Sequence, residues 1–371
     1  MGGMPPRIFV SAGEPSGDLH AARVVEALRR RWPDAVIDAF GGPALRAAGA
    51  SIRYPMESYT VLGFFETLTK LVPHLRLLRD LGTEFARDRY DLALLVDYPG
   101  FNLRLAEAAR RAGVRTLYYI APQLWAWRPG RAQRFAAAVD RMAVILPFEP
   151  AFFASVGVEA EFVGHPLVER HWPSREEARA GLGIPASARV LALCPGSRGQ
   201  EITRIWPLFR DAARRLVDEG ACDRALVAGT PAGVYPDGGH VKVHRGEATR
   251  ILAAADAALV KSGTTTLEAA MTGTPMVVAY RVHPVTAAIA KRVMTVHHVS
   301  LVNLVGEREV VPELLQDAAT ADALAERVRP LLDPTGPAAQ AQRSGLAEVR
   351  ERLGRPGAAE RVAAIAAELI G

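Results

Sequence analysis

Short apolar runs alternate with helix-forming stretches along almost the whole chain, and that alternation limits the fold more than any other feature. The run from Arg7 to Ala12 leads into a small-residue turn, Gly13 to Gly17, and then into a helical stretch from His20 to Trp32. Further strands are expected near 35–40, 91–96, 115–120 and 141–146, with helices near 73–88 and 102–112. A second series follows Trp172-Pro173-Ser174. It comprises a short helix from Glu176 to Gly183, strands at 189–194, 224–228, 257–260 and 275–279, and helices at 204–219, 247–254 and 265–272. Strands that alternate with helices form parallel sheets covered on both faces. At 371 residues the chain is too long for one ordinary core. The expected fold class is α/β, with two Rossmann-like doubly wound domains, 1–168 and 169–345, facing a cleft at the carboxyl ends of their strands. The joint lies near 165–173. Ala-rich helical sequence from 338, interrupted at Gly354 to Gly357, ends in a segment, 346–371, that can cross back to the first domain.

Composition bears on compartment and partners. Hydrophobic residues make up 49% of the chain and charged residues 23%, which are globular values. A net charge of +5 suits an anionic partner. Nucleic acid is disfavoured, because the basic residues are scattered and the aromatics are not interleaved with them. Cys194 and Cys222 have neither metal-ligand nor disulfide company and read as reduced, cytosolic thiols. The first residues are too few and too polar for a signal peptide, and no apolar run approaches the roughly 18 to 20 residues that span a bilayer. A soluble or peripherally bound protein is expected. No cluster of His, Cys, Asp and Glu has metal-ligand spacing.

Two turns in the second half point to a phosphorylated ligand. Pro195-Gly196-Ser197-Arg198-Gly199-Gln200-Glu201 and Ser262-Gly263-Thr264-Thr265-Thr266-Leu267-Glu268 each follow an apolar strand and open a helix. Free N–H groups and the positive helix end attract anions there. The first turn lacks the P-loop Lys and neither has the three-glycine dinucleotide fingerprint, so a nucleotide-sugar diphosphate is the better reading. Arg198 can match the charge developing on a departing diphosphate, with Ser197 beside it, or can simply pair with Glu201. Glu268 can take both ribose hydroxyls or stand as a plain charge on a helix face.

The first half offers carboxylates. Glu14, Ser16, Asp18 and His20 cluster after the first strand. Acidic groups there suit sugar hydroxyls, whereas Ser16 or Asp18 can instead cap the following helix. Asp97 ends the strand Leu92 to Val96 and precedes Tyr98-Pro99-Gly100-Phe101-Asn102. That placement suits a general base better than a helix cap, since Asn102 lies closer to the helix start. The stretch from Tyr59 through Phe64 and Phe65 to Leu78 has apolar residues at helical spacing, with Lys70, His74, Arg76 and Arg79 among them. Such a helix either covers a core or dips into a membrane surface. Trp125 and Trp127 read as packing rather than as a sugar pocket, and His165 as either a turn residue or a catalytic one.

Further motifs stand in order along nearly the whole length: Ala12-Gly13-Glu14-Pro15-Ser16-Gly17-Asp18, Val61-Leu62-Gly63-Phe64-Phe65-Glu66, Asp97-Tyr98-Pro99-Gly100-Phe101-Asn102 and Trp125-Ala126-Trp127-Arg128. They continue in Leu146-Pro147-Phe148-Glu149, Phe162-Val163-Gly164-His165-Pro166-Leu167, Pro195-Gly196-Ser197-Arg198, Ser262-Gly263-Thr264 through Glu268, and Pro275-Met276-Val277-Val278 with Tyr280-Arg281. Together they resemble the lipid-A-disaccharide synthases, glycosyltransferases that join two acylated glucosamines. The resemblance implies a GT-B fold with no essential metal and no cofactor. It implies UDP-2,3-diacylglucosamine as donor and 2,3-diacylglucosamine 1-phosphate (lipid X) as acceptor, giving the β-1,6-linked disaccharide 1-phosphate and UDP with inversion. Asp97 matches the base for the acceptor 6-hydroxyl and Arg198 a diphosphate contact; Glu14, Ser16 and Asp18 match the active-site loop. Asn303 matches a further active-site Asn, and Glu313 to Gln316 a Glu-Leu-Leu-Gln stretch. The sequence departs from the family in Val302, where Pro is usual, in Gln123-Leu124 before the Trp pair, and in Thr265-Thr266.

The resemblance also implies a peripheral protein at the inner face of the cytoplasmic membrane, a monomer or homodimer on an anionic lipid surface. It favours the membrane reading of helix 64–79. The expected donor residues are Gly196, Ser197, Arg198, Ser262, Gly263, Thr264, Glu268, Asn303 and Gln316. Asp97, Glu14 and Arg198 are the expected catalytic set, and Ser16, Asp18, Phe64 and Phe65 the acceptor side. One rival is a UDP-sugar 2-epimerase of similar architecture, which has no need of the apolar basic helix. Another is a non-catalytic UDP-sugar or lipid-binding protein.

Overall fold

The computed structural model describes residues 4–59, 71–88, 90–127, 132–239, 241–283, 286–287 and 297–371. It falls into two compact units, Met1–Pro166 with Gly354–Gly371, and Leu167–Leu353.

The first unit runs β1 (Arg7–Ser11), α1 (Pro15–Arg31), β2 (Val36–Gly41), α2 (Pro43–Ala47), β3 (Ser51–Pro55), α3 (Leu71–Asp88), β4 (Leu92–Val96), α4 (Pro99–Arg111) and β5 (Arg115–Tyr119). It continues with α5 (Leu124–Trp127), α6 (Ala132–Ala138), β6 (Arg141–Val144), α7 (Glu149–Ala154) and β7 (Glu159–Phe162). Among the described residues its seven strands are all parallel, in the order β3-β2-β1-β4-β5-β6-β7. Helix α1 begins at Pro15, five residues before the expected His20. Proline suits the first helical turn, where its missing N–H has no partner to lose. Ser16, Gly17 and Asp18 therefore lie in a helix and not in a free turn. Ala21, Val24, Val25 and Leu28 bury against Ile8 and Val10 of β1, and each of the valine and leucine side chains contributes about 1.5–3 kcal/mol.

On the other face, α3 buries Leu77, Leu81 and Phe85, with Phe85 edge-on to Phe9 at 5.3 Å between centroids. The same helix leaves Val72 and Leu75 exposed, at 53% and 47%, so it covers a core and still presents apolar surface. Phe64 and Phe65 lie outside the described residues.

The second unit contains α8 (Arg175–Leu182), β8 (Val190–Cys194), α9 (Gly199–Asp218), β9 (Arg224–Gly229), β10 (Lys242–Arg245), α10 (Ala248–Ala254), β11 (Ala257–Lys261), α11 (Thr264–Thr272) and β12 (Met276–Tyr280). After these come α12 (Leu301–Gly306), β13 (Glu313–Leu315), α13 (Ala321–Val328) and α14 (Pro337–Arg352). Ser174 and Glu177 form a capping box that starts α8, and Gly183 in the left-handed conformation ends it. The sheet is again all parallel, in the order β10-β9-β8-β11-β12-β13. Ile202, Ile205, Trp206 and Phe209 of α9 pack over Leu191, Leu193 and Leu259.

The last helix, α15 (Ala358–Ile370), packs against α1 in the first unit through Val362, Ile365 and Ala366. A Cβ on Gly354 would lie 3.1 Å from the Gly164 Cα, and its φ is +90°. Only glycine lets the chain pass there.

The strands that the apolar pattern did not predict are β3, β7, β10 and β13, and these are the outer strands of the two sheets. An outer strand is covered on fewer sides, so its sequence mixes charges with apolar residues, as in Glu159-Ala160-Glu161-Phe162.

Candidate active site

In both sheets the order of strands reverses at one point, and in parallel α/β sheets ligands bind beyond the strand ends at such a point. In the first sheet it falls between β1 and β4, where Val10 pairs with Leu94 and Ser11 with Leu95. The chain leaving β1 carries Glu14, and the chain leaving β4 carries Asp97.

Asp97 and Tyr98 have φ of +48° and +49°. Two consecutive non-glycine residues in the left-handed region cost about 1–3 kcal/mol each, so their surroundings must hold them. The Asp97 N–H donates to the Tyr119 carbonyl at 3.0 Å. Its carbonyl accepts from the Tyr118 hydroxyl at 2.6 Å and from Asn102 Nδ2 at 2.8 Å. Asn102 Nδ2 also reaches the Val96 carbonyl at 3.1 Å, and its Oδ1 accepts from Ser11 Oγ at 2.6 Å. Asp97 does not cap α4: the cap position is Tyr98. Burial raises the pKa of the Asp97 carboxyl above the usual carboxylate range, and the negative charge of Glu14 raises it further, against a lowering from the Tyr98 N–H.

The loop is packed as well as hydrogen-bonded. A Cβ at Gly13 would sit 2.4 Å from the Tyr98 ring, so the ring lies directly on that glycine. His74 Nε2 of α3 is 2.6 Å from the Tyr98 hydroxyl. Glu14 is exposed at the start of α1 and makes no capping bond, and Ser16 is exposed in the first turn. Asp18 is different: its buried carboxylate accepts from Gly42 N at 2.7 Å, Ala44 N at 2.8 Å and Leu45 N at 3.4 Å. It holds the start of α2 rather than facing a substrate, and it caps neither its own helix nor an open loop.

Trp125 is buried, edge-on to Phe148 at 4.9 Å, and donates from Nε1 to Glu149 at 3.1 Å. It is a packing residue, held by a carboxylate whose other oxygen accepts from Ile145 N and Leu146 N at 3.2 and 3.0 Å. Burial pushes the Glu149 pKa up to about 7 despite those three donors. His165 is buried and its pKa is lowered to about 4, by burial first and then by the charge of His20.

In the second sheet the reversal falls between β8 and β11. A cavity of about 340 Å³ lies beyond it, lined by Cys194, Gly196, Ser197, Arg198, Glu201, Lys261 and the 262–265 turn among others. Gly263 and Thr264 open α11 without a side-chain cap, leaving its N-terminal N–H groups toward the turn. Ser262 is buried and donates to the Val299 carbonyl at 2.8 Å. Arg198 is largely exposed and lies 3.3 Å from Glu201. Both cysteines are buried and unpaired.

A profile of the lipid-A-disaccharide synthetase family matches residues 8–368. The lipid-A-disaccharide synthase of Anaeromyxobacter sp. (strain K) is 43% identical over 370 residues, covering 96% of each chain. That of Geobacter metallireducens is 41% identical over 376 residues, covering 98% of this chain and 97% of its own. The chain belongs to the lipid-A-disaccharide synthase family. Solved structures with a similar fold include a putative UDP-N-acetylglucosamine 2-epimerase from Listeria monocytogenes, with a TM-score of 0.64, 12% identity, and 96% and 95% of the two chains covered. The calicheamicin glycosyltransferase has a TM-score of 0.61 at 18% identity, with 99% and 98% covered. These likenesses establish the fold, GT-B, while the family match discriminates between transferase and epimerase.

Two family positions take structural rather than open places in this chain. Asn303, expected at the donor, is wholly buried with every hydrogen-bonding position filled. Its Nδ2 donates to the Val311 carbonyl and to Glu313, and its Oδ1 accepts from Val310 N and Val311 N, all at 2.8–2.9 Å. It ties α12 to β13 and has no group left for a nucleotide. Val302 lies in the first turn of α12, where an N–H has no partner within the helix, so valine and the family's proline fit the same backbone.

Glu268 is paired with Arg170 at 3.2 Å, one turn beyond the cavity's lining. Gln316 has φ +52°, and its Oε1 accepts from Val282 N at 3.4 Å. Sequence reasoning passed over Asn102 as a clamp, Lys261 and Glu149. Lys261 could have been noticed as the one charge at the end of an apolar strand, directly before an anion turn. Among the described residues, no helix is long and apolar enough to cross a membrane, and no group of three or more His, Cys, Asp or Glu could hold a metal ion.

Proposed function

We propose that this chain condenses UDP-2,3-diacylglucosamine with 2,3-diacylglucosamine 1-phosphate to give the β-1,6-linked disaccharide 1-phosphate and UDP. The observation that carries it is the family match across residues 8–368, supported by Glu14 and Asp97 at one strand-order reversal and the cavity at the other. The Asp97 carboxylate takes the proton of the acceptor 6-hydroxyl. The oxygen so exposed bonds to the donor's anomeric carbon from the face opposite the diphosphate, and the carbon–oxygen bond to UDP breaks with inversion. Arg198 and the N–H groups of the 196–198 and 263–265 turns stabilise the charge gathering on UDP. The negative charge of Glu14 keeps Asp97 basic. No metal or cofactor enters these steps.

The acylated substrates call for a lipid surface, and on our reading that surface is the inner face of the cytoplasmic membrane. Exposed Val72 and Leu75 on α3, with Arg76 and Arg79 beside them, support that reading. Incubation with both substrates in detergent, with and without a chelator, tests it by mass spectrometry of the disaccharide and UDP. A folded sample that makes no disaccharide overturns the transfer. Epimerised UDP-sugar without acceptor, or UDP bound with no product, selects one of the two rivals.

A further inference from the structure

The cavity of the second unit already holds an anion of the protein's own. Glu201, in the first turn of α9, accepts at Oε2 from Ser197 N at 3.1 Å and Arg198 N at 3.3 Å. Its Oε1 accepts from Arg198 Nη1 at 3.3 Å and Lys261 Nζ at 3.0 Å. Two consecutive backbone N–H groups and two cations are the donors a phosphate would take. The loop is built around the carboxylate: Gly196 has φ +114°, and a Cβ there would fall 2.7 Å from Glu201 Oε2. Lys261, at the end of β11, is only 17% exposed and lines the same cavity, 5.5 Å from the Tyr280 ring centroid.

Burial alone would raise the Glu201 pKa; the hydrogen bond and charge of Lys261, with the two N–H groups, outweigh it and lower the pKa instead. The ionised carboxylate thus keeps Lys261 from being a half-buried, unpaired cation while no ligand is bound. A diphosphate in this cavity meets a like charge at the donors it needs, and the two repel. Glu201 is 19% exposed on its side chain and sits in the first turn of α9.

We propose that Glu201 is an internal stand-in for the donor's diphosphate, and that Lys261 is a phosphate-binding residue handed from Glu201 to the donor on binding. This rests on the reading of the cavity as the donor site. Lys261 then joins Arg198 in holding the diphosphate, and Glu201 tunes affinity by competing for both.

Calorimetric titration of the full chain with UDP tests the exchange, using wild type, Lys261→Met, Lys261→Arg and Glu201→Gln, each checked for folding by circular dichroism. Loss of a charge-assisted hydrogen bond should weaken UDP about tenfold or more in Lys261→Met, and Lys261→Arg should stay within about threefold of wild type. Glu201→Gln should bind UDP about threefold or more tightly, since it removes a competing charge. Lys261→Gln replaces Lys261→Met if that variant does not fold. UDP affinity unmoved by the loss of Lys261, or weakened in folded Glu201→Gln, overturns the exchange and makes Glu201 a fixed support of its turn. A wild type that binds no UDP removes the donor-site reading and the exchange together, whereas a wild type that binds with unresponsive variants removes the exchange alone.

Discussion

The side-chain amide of Asn102 donates to the main-chain carbonyl of Asp97 at 2.8 Å while accepting from Ser11 at 2.6 Å. One buried residue thereby ties the ends of β1 and β4 together and holds a left-handed Asp-Tyr pair in place. Asn102→Ala frees that pair. Because a misplacement of about 1 Å at a reacting group can cost on the order of 10²-fold, turnover should fall by about that much. UDP affinity, which the proposed donor site assigns to the other unit, should stay unchanged in the same calorimetric titration.

Asp97→Asn should lower kcat by about 10²- to 10⁴-fold in a folded protein. The acid limb of the kcat/KM profile should lie above the usual carboxylate value, because the Asp97 pKa is raised by burial and by Glu14. Glu14→Gln removes the second cause and should move that limb to lower pH. A limb that stays in place in Glu14→Gln separates the two carboxylates.

Asn303→Ala should cost stability and leave donor recognition intact. It leaves the Val310 and Val311 N–H groups, the Val311 carbonyl and Glu313 short of a partner. The expected loss is about 2–4 kcal/mol in urea unfolding. UDP affinity below the melting temperature should be unaltered.

Glu149 and His165 should give opposing pH dependences. Glu149 has a folded pKa of about 7 against an ordinary 4.5. The folded state holds a proton that the unfolded chain releases, and stability falls as pH rises through that window. His165 has a folded pKa of about 4 against 6.5, so the unfolded chain binds the extra proton and stability falls as pH drops from 6.5 to 4. Each shift corresponds to on the order of 3 kcal/mol, and between about pH 4.5 and 6.5 the two slopes offset one another. Melting temperatures across pH 4 to 8 should show a steeper acid loss in Glu149→Gln and a shallower one in His165→Gln.

Much of this protein follows from local sequence. Buried parallel strands such as Leu92 to Val96 are continuous apolar runs, so the inner strands and the turns that follow them were legible, and with them Asp97, Gly196 and the 262–264 turn. Ordered motifs along the whole chain carried the family. The outer strands were not legible, because partial exposure lets charges interrupt their apolar pattern. Nor does local sequence carry strand order: only the folded sheets set β1 beside β4 and β8 beside β11, residues about 80 and 70 positions apart brought together by long-range pairing. The same holds for side chains of one chemical type. Asp18 and Asp97 differ because the N–H groups at the start of α2 consume the buried carboxylate of the first, whereas burial, Glu14 and the Tyr98 N–H set that of the second. That accounting depends on contacts between distant elements, which the tertiary structure alone decides.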